Sequence, residues 1–266
     1  MKILIVGSGN MGKTYARSFL TSRVITEKDL FILDKNRGQV TALTELSGGN
    51  IYDKPGAFIS ETDILILAVK PQDFAQLAGQ IKPFVKPEQL ILSIMAGIKI
   101  DAIMNTLGVK RVVRCMPNLP AQIGMGMTVF TSSPGIDKKE LFTVQNLINT
   151  TGKSVYVEDE NMIDVATAIS GSGPAYVYYF MEAMIRAGVK MGFTLSEAEL
   201  LVNQTFMGAV HLHNQNELTC NEWIKKVASK GGTTEAAVKV FDQFGLDGKI
   251  GAGLVAAYER ATELGS

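Results

Sequence analysis

The segment Lys2-Ile-Leu-Ile-Val-Gly-Ser-Gly-Asn-Met-Gly12 decides the fold of the first half of this chain. Its apolar run predicts a buried strand over residues 2–6, and the residues after the first glycines predict a helix over 11–20. Asp34 ends the next apolar run, 22 residues after Gly12. A glycine turn between a strand and a helix presents backbone N–H groups to a pyrophosphate, and an acidic residue at that distance binds a ribose hydroxyl. This context favours a dinucleotide-binding loop over a tight turn without a ligand.

The remainder of the first half repeats the alternation of apolar strands and helix-length segments. The predicted strands lie at 30–33, 64–68, 90–94, 112–115, 127–130 and 154–157. Strands that are apolar throughout and separated by helices are typical of a mostly parallel sheet covered on both faces. The sequence therefore predicts an α/β fold whose first domain, residues 1–158, is a Rossmann-like doubly wound sheet that binds a dinucleotide.

The pattern changes near residue 160, after which no apolar strand is found and helical spacing takes over. The predicted helices lie at 175–188, 195–213, 221–228, 233–244 and 247–263. The first of them is apolar nearly all round, which predicts burial against a second copy of the chain. Residues 159–266 are therefore expected to form an all-helical dimerisation domain.

Composition excludes several classes of protein. The 266 residues include 26 basic and 26 acidic side chains, with no basic stripe, so a nucleic-acid partner is not expected. No stretch reaches the roughly 18 to 20 apolar residues of a membrane helix. Two cysteines, Cys115 and Cys220, are too few for a disulfide framework and suit a reducing compartment. We expect a soluble, cytoplasmic protein.

The residues around Asp34 leave the choice of nicotinamide cofactor open. An aspartate at the end of the second strand binds the ribose 2′-hydroxyl of NAD and repels the 2′-phosphate of NADP. Lys35 and Arg37 follow at once, and the Arg37 guanidinium is suited to clasp that phosphate. The sequence is compatible with either NADP(H) or NAD(H).

Two further strand ends carry candidate residues. Ala68-Val-Lys-Pro71 ends a predicted strand on the side where ligands bind in such sheets, which favours a cofactor role for Lys70 over a solvent-exposed strand end. Pro117 and Asn118 also follow a strand and are candidates for shaping the nicotinamide pocket. Spacing alone favours a rigid turn for these two residues.

A second glycine loop, Ser229-Lys-Gly-Gly-Thr-Thr234, precedes a helix rich in alanine and valine. Unpaired N–H groups and the partial positive charge at a helix start suit a small carboxylate, and the hydroxyls of Ser229, Thr233 and Thr234 add further donors. The alternative is an ordinary helix cap with glycines for a sharp turn, and residue types alone favour that reading.

No other catalytic group stands out. His211 and His213 are two residues apart, which places them on different helix faces and is unsuited to one metal ion, so no metal site is expected. Neither a nucleophile elbow nor a Ser–His–Asp arrangement is apparent. Chemistry without a metal, a nucleophile or a histidine base points to a cofactor that carries the reaction.

Together these motifs resemble those of the pyrroline-5-carboxylate reductase family over essentially the whole chain. The resemblance rests on the glycine loop 7–12, on Ala68-Val-Lys-Pro71, Met116-Pro-Asn118, Ser170-Gly-Ser-Gly-Pro-Ala-Tyr176, Gly188-Val-Lys-Met-Gly192 and Ser229-Lys-Gly-Gly-Thr-Thr234. The last three together are highly specific, and they change the second glycine loop from a doubtful site to a strong one.

The resemblance implies hydride transfer from NAD(P)H to the C=N carbon of 1-pyrroline-5-carboxylate, giving L-proline in the last step of proline biosynthesis. It implies that Thr234 hydrogen-bonds the ring nitrogen as the catalytic residue. The substrate-binding residues implied are Ser229, Gly231, Gly232, Thr233 and Thr234. The cofactor-binding residues implied are Gly7, Ser8, Gly9, Asn10, Met11, Gly12, Asp34, Lys35, Arg37, Ala68, Val69, Lys70, Pro71, Met116, Pro117 and Asn118. The family's assembly implies a homodimer, with a decamer of five such dimers as the larger assembly.

The sequence departs from the family's usual residues in places, and other functions have to be compared with the one that the resemblance implies. Lys230 stands where the family most often has proline, which adds a charge beside the expected carboxylate site. A β-hydroxyacid dehydrogenase would place a lysine early in the helix 175–186, which contains none. A reductase of a six-membered cyclic imine stays open, since one methylene discriminates by only about 1–3 kcal/mol. A silent cofactor-binding protein would have a degraded second loop, whereas Gly231, Gly232 and Thr234 are intact.

Overall fold

A computed structural model describes residues 1–36 and 50–265 of the chain. The chain divides into two compact units, the first formed by Met1–Pro174 with Ala257–Ser266 and the second by Ala175–Ala256. The assignment of a cofactor domain to residues 1–158 and a helical domain to 159–266 stays a prediction.

The first unit is built on a sheet of eight strands. In chain order they are β1 (Ile3–Val6), β2 (Leu30–Leu33), β3 (Ile51–Tyr52), β4 (Ile64–Leu67), β5 (Leu90–Ser93), β6 (Arg111–Met116), β7 (Gly126–Ser132) and β8 (Gly152–Tyr156). Their spatial order is β3-β2-β1-β4-β5-β6-β7-β8, and neighbours are parallel except for the antiparallel pair β6–β7. This doubly wound arrangement confirms the predicted α/β fold. Strand β3 was not predicted, because an apolar run of two residues is too short to register as a pattern.

The sheet is buried on both faces because its central strands are apolar at every position. Ile3 and Ile5 point into one core with Tyr15 and Phe19, while the alternate residues of β1 point into a second core on the other face. Each fully buried side chain of this size contributes about 1.5–3 kcal/mol relative to exposure. The register pairs Ile3 with Leu30 of β2 and with Ile64 of β4, so the carboxyl ends of these strands share one edge.

Helices cover the two faces of the sheet. They are α1 (Asn10–Thr21), α2 (Phe74–Ile81), α3 (Ile100–Leu107), α4 (Lys138–Asn149) and α5 (Met162–Ala166), and a π-helical turn, Thr167–Gly171, continues directly from α5. The predicted helix over 11–20 is confirmed as α1. Arg114 of β6 is 1% exposed and pairs with Asp164 of α5 at 2.7 Å, which ties this helix to the sheet.

Five helices follow: α6 (Gly173–Lys190), α7 (Leu195–Asn214), α8 (Cys220–Val227), α9 (Thr233–Gln243) and α10 (Leu246–Leu264). Thr194 and Thr219 cap α7 and α8, and in each case the third helical residue, a glutamate, bonds back to complete a capping box. These bounds confirm the predicted helices to within two residues. Across the described residues, 1–36 and 50–265, no helix is both long and apolar enough to span a bilayer.

The second unit buries little within one chain. Among residues 175–256, all of which the structure describes, only Ala198 and Val202 are buried. Helix α6 buries no residue, and Tyr179 is 76% exposed. Large exposed apolar surface is typical of a site that contacts another protein, a membrane or a ligand. The predicted burial of this helix is therefore not achieved within the single chain.

Candidate functional site

The first glycine loop joins β1 to α1 at the carboxyl edge of the sheet. Gly7 has φ +99°, and a Cβ at this position would lie 2.8 Å from the carbonyl oxygen of Ala68, so a side chain is excluded on both counts. A Cβ at Gly12 would collide with the Gly7 carbonyl. Gly9 precedes the first residue of α1 and faces open space. The first-turn amides of α1 are thus presented beside a small-residue surface, which suits a pyrophosphate.

Asp34, directly after β2, is bonded to this loop. Its Oδ2 accepts hydrogen bonds from the backbone N–H and from the hydroxyl of Ser8, both at 2.6 Å. Its Oδ1 accepts a hydrogen bond from the backbone N–H of Asn36 at 2.8 Å. The carboxylate is therefore held in one place at the strand edge, at the position where an adenosine ribose is bound in this fold.

A cleft of about 560 Å³ lies along this edge. Of the predicted cofactor residues, it is lined by Gly7, Gly9, Asp34, Lys35, Ala68, Val69 and Lys70. Its size and its small-residue loop fit a dinucleotide. Ser8, Asn10, Met11, Gly12 and Pro71 are not among its lining residues, and Arg37 lies outside the described residues.

Several lining residues were not predicted, among them Asp53, Pro55, Asp73, Gln76 and Gln80. Asp53 follows β3, so missing that strand also meant missing this carboxylate. Asp73 could have been found from its position three residues after Lys70. Its Oδ1 lies 3.7 Å from the ammonium of Lys35, and both groups are well exposed, so this pair contributes little to stability.

A second cleft of about 510 Å³ lies at the opposite edge of the sheet. Thr62, Asp63 and Gln89 line it where β4 and β5 begin. Ligands of doubly wound sheets bind outside the carboxyl ends of the strands, and the glycine loop lies at that edge. We therefore assign the dinucleotide to the first cleft.

Met116 ends β6, and Pro117 and Asn118 follow it. None of these three predicted residues lines either cleft. The Asn118 amide is bonded within the protein at both ends: Nδ2 donates to the Ser170 carbonyl at 3.0 Å, and Oδ1 accepts from the Met127 N–H at 2.8 Å. A Cβ at Gly171 would lie 2.8 Å from the Met116 side chain. These contacts hold the π-helical turn against the end of β6. Such turns are frequent at functional sites.

The second glycine loop leads into α9. Gly231 has φ +76°, a conformation that favours glycine, and Gly232 is the residue before the helix. The Gly231 N–H donates to Oε2 of Glu235 at 2.7 Å. This hydrogen bond, and then the nearby charge of Lys239, lower the pKa of Glu235. The amides of Thr233 and Thr234 lie in the first turn, where a helix offers them no acceptor.

The remaining reactive groups do not form a site. Burial raises the pKa of the Cys115 thiol, which keeps it protonated and unreactive. Within the described ranges, no three His, Cys, Asp or Glu side chains are grouped so as to hold a metal ion. The chemistry available is therefore anion binding at two helix starts and hydrogen bonding by hydroxyls.

Two family models match different parts of the chain. Residues 160–264 match the family model described as pyrroline-5-carboxylate reductase dimerisation. Residues 2–97 match the model described as NADP oxidoreductase, coenzyme F420-dependent. The two matches fall on the helical segment and on the first part of the parallel sheet.

Relatives and solved structures cover nearly the whole chain. A pyrroline-5-carboxylate reductase of Pseudomonas aeruginosa is 33% identical over 264 residues, covering 99% of this chain and 96% of the relative. That of Aquifex aeolicus is 33% identical over 252 residues, covering 94% and 92%. The structure of the Coxiella burnetii reductase matches with a TM-score of 0.91 at 28% identity, covering 100% of this chain and 98% of that one. The Plasmodium falciparum pyrroline carboxylate reductase with NADP bound matches with a TM-score of 0.89 at 28% identity and the same coverage. The motifs, the fold and the full-length similarity agree, and this chain belongs to the pyrroline-5-carboxylate reductase family.

Proposed function

We propose that this chain is an NAD(P)H-dependent pyrroline-5-carboxylate reductase, which reduces the C=N bond of 1-pyrroline-5-carboxylate to give L-proline. The observation that carries the proposal is the presence of two separate glycine loops at helix starts, one in the parallel sheet and one before α9, in a chain of this family. One loop suits a pyrophosphate and the other a small carboxylate.

The cofactor is held by the groups at the carboxyl edge of the sheet. The first-turn amides of α1 bind the pyrophosphate, while Gly7 and Gly12 let the backbone approach it closely. Asp34 and Lys70 follow β2 and β4, the two strands that flank β1, and we assign them to the adenosine half. Met116 and Pro117 belong to the turn that we assign to the nicotinamide end. The reduced cofactor, when bound, supplies the hydride.

The substrate is held by the second loop. Its carboxylate accepts hydrogen bonds from the amides of Thr233 and Thr234 and from the Ser229 hydroxyl, while the Gly232 N–H holds the turn by donating to the Ser229 carbonyl at 2.9 Å. The partial positive charge at the start of α9 favours the anion. Lys230 adds an exposed positive charge to the same loop.

We assign Thr234 to the C=N bond that is reduced. Its hydroxyl donates a hydrogen bond to the ring nitrogen, which becomes an amine when the neighbouring carbon receives hydride and the nitrogen receives a proton. An imine is basic enough to take that proton readily, so the protein's main contribution is to orient the ring.

The helical half is also the proposed contact between copies. The exposed apolar face of α6 is too extensive for a lone monomer, and we propose a homodimer through residues 159–266, with a decamer as the higher assembly. Both cysteines are free, as is usual in a reducing cytoplasm, where we place the enzyme.

The test uses 1-pyrroline-5-carboxylate as the substrate. Oxidation of NADPH or NADH is measured as the loss of the absorbance of the reduced nicotinamide, and L-proline is identified as the product. Turnover with either cofactor is the expected result. A folded protein that binds a cofactor and reduces only the six-membered imine would reassign the substrate, and one that reduces neither imine would contradict the proposal.

A further inference from the structure

The second glycine loop carries a lysine at the corner of a tight turn. The Gly232 N–H donates to the Ser229 carbonyl at 2.9 Å, which closes a four-residue turn with Lys230 in second place. Gly231, in third place, has φ +76°, whereas Lys230 does not have a positive φ. This is the pattern of a type II turn. Lys230 is exposed, so its ammonium is available to a ligand of the loop.

The one carboxylate that contacts this loop is already balanced by a cation. Glu235 accepts the Gly231 N–H on Oε2 at 2.7 Å, and its Oε1 lies 3.4 Å from the ammonium of Lys239. Lys230 forms no ion pair with a carboxylate of the described residues. The loop therefore carries one positive charge that no acidic side chain offsets.

The neighbouring lysines are engaged elsewhere. Lys225 and Lys226 lie in the last turn of α8, where cations offset the negative end of the helix. The Lys226 ammonium also lies over the Trp223 ring, 5.1 Å from its centre. Lys230 follows the helix and is the only lysine of the loop itself. It is therefore the side-chain cation best placed to act on a ligand at the start of α9.

A full charge adds a kind of selection that the loop amides do not provide. Backbone N–H groups and hydroxyls donate hydrogen bonds to the oxygen of a neutral carbonyl as well as to a carboxylate. Coulomb attraction to an ammonium requires a ligand that is itself charged. The unpaired ammonium should therefore widen the difference between an anion and a neutral molecule of the same shape.

We propose that Lys230 is a specificity-determining residue, which makes the substrate loop select ligands with a carboxylate over neutral ligands of the same shape. The inference deepens the proposed function, on which it rests for the placement of the substrate carboxylate in this loop.

The test measures binding, so that it does not depend on turnover. Cyclopentanecarboxylate and cyclopentanecarboxamide, a five-membered ring with a charged or a neutral group, are titrated by calorimetry into the enzyme with saturating oxidised cofactor. The carboxylate preference is the dissociation constant of the carboxamide divided by that of the carboxylate. Lys230→Gln should reduce this preference about three- to tenfold, as expected for one partly solvated charge. The carboxamide constant should stay within about twofold.

Two further variants separate the charge of Lys230 from other effects. Lys230→Arg keeps the charge and should keep the preference within about twofold of the wild type. Lys110→Gln is the matched control, because Lys110 is also an exposed lysine and directly precedes β6, at the edge of the sheet opposite the cofactor cleft. It should leave the preference unchanged.

Salt gives an independent measurement of the same charge. The Debye length falls from about 30 Å at about 0.01 M salt to about 3 Å at about 1 M. The carboxylate preference of the wild type should therefore fall over this range, and that of Lys230→Gln should fall less. An equal salt dependence in the two proteins overturns the inference.

The remaining outcomes separate this inference from the proposed function. An unchanged preference in Lys230→Gln, or an equal loss in Lys110→Gln, overturns the inference, while reduction of 1-pyrroline-5-carboxylate by the same preparation keeps the proposed function. A preference that depends on Lys230 in a protein that reduces no cyclic imine contradicts the proposed function and leaves the inference standing. A folded wild type that binds cofactor but neither probe overturns the inference.

Discussion

Glu235 accepts a hydrogen bond at 2.7 Å from the backbone N–H of Gly231, an amide of the substrate loop. Its other carboxylate oxygen lies 3.4 Å from the ammonium of Lys239, one turn further along α9. The Glu235 carboxylate thus accepts from one of the loop amides and pairs with Lys239 at the same time.

We expect Glu235→Gln to bind the substrate carboxylate more tightly, because it removes a negative charge next to the incoming anion. The KM for 1-pyrroline-5-carboxylate should fall about three- to tenfold with kcat nearly unchanged, the size of a like-charge contact at an exposed site. Steady-state kinetics at fixed cofactor measure this. Glu182→Gln is the control, since Glu182 also pairs with a cation one turn along its helix, Arg186 at 2.6 Å. A raised KM in Glu235→Gln would show instead that Glu235 supports the loop.

Thr234 should matter for turnover and not for cofactor binding. Thr234→Ala removes the hydroxyl that we assign to the ring nitrogen, and kcat should fall about 10- to 100-fold, as expected for a hydrogen bond to a group that becomes charged. Cofactor dissociation constants should stay within about twofold, in the range of unrelated surface changes. Thr234→Ser keeps a hydroxyl and should recover most of the rate. Equal turnover by the alanine variant and the wild type would remove Thr234 from the mechanism.

Asn118 should contribute mainly to stability. Asn118→Ala leaves the Ser170 carbonyl and the Met127 N–H without their partner, which costs about 1–3 kcal/mol of unfolding free energy for each group that water does not reach. Asn118→Asp keeps the acceptor for Met127 and should lose less. Urea unfolding gives the free energies. A cofactor dissociation constant that rises more than about tenfold in a folded Asn118→Ala would show a direct contact with the dinucleotide.

The buried pair of Arg114 and Asp164 gives a prediction in which the size of the stability loss depends on what replaces the pair. The two side chains are 1% and 4% exposed and 2.7 Å apart. Asp164→Ala leaves a buried guanidinium with Glu160 as its other carboxylate partner, at 3.0 Å, and should cost about 3–5 kcal/mol. Arg114→Met combined with Asp164→Leu should cost much less, because no buried charge is left unpaired at this position. A double-mutant cycle in urea tests this. Equal losses in the single and double variants would contradict it.

The helix caps predict a loss of stability in acid. The hydroxyl and the backbone N–H of Thr219 lower the pKa of Glu222, and those of Thr194 lower the pKa of Glu197. A carboxyl whose pKa is lower in the folded state stabilises the fold above its ordinary, unfolded pKa. That contribution is lost as the pH falls through the lowered value.

Thermal unfolding at about pH 6 and about pH 3.5 spans the ordinary glutamate pKa. We expect the wild type to lose more stability between these two pH values than the double variant Glu197→Gln with Glu222→Gln. In this variant the side-chain amide oxygens can still accept hydrogen bonds from Thr194 and Thr219, but neither side chain titrates. The same pH dependence in both proteins would show that the caps do not contribute to it.

A strand or helix could be predicted from the sequence where its own residues form a recognisable pattern. Seven of the eight strands of the sheet were predicted to within two residues because continuous apolar runs end at residues such as Gly7 and Asp34 that break them. Helix α7 was located from its helical spacing, which predicted a helix over residues 195–213. Strand β3 was missed because Ile51 and Tyr52 form no pattern of their own and are held in the sheet by pairing with β2.

The sequence by itself determined the fold class, the two glycine loops and the family, because these depend on the residue type at fixed spacing along the chain. Only the tertiary structure decided which donors meet which acceptors. Ser8 and Asp34 are 26 residues apart and Asn118 and Ser170 are 52 apart, and no periodicity relates them. Their pairing depends on parallel strands and a π-helical turn that bring chain segments together, so a residue predicted as a ligand contact proved to spend its hydrogen bonds on the protein.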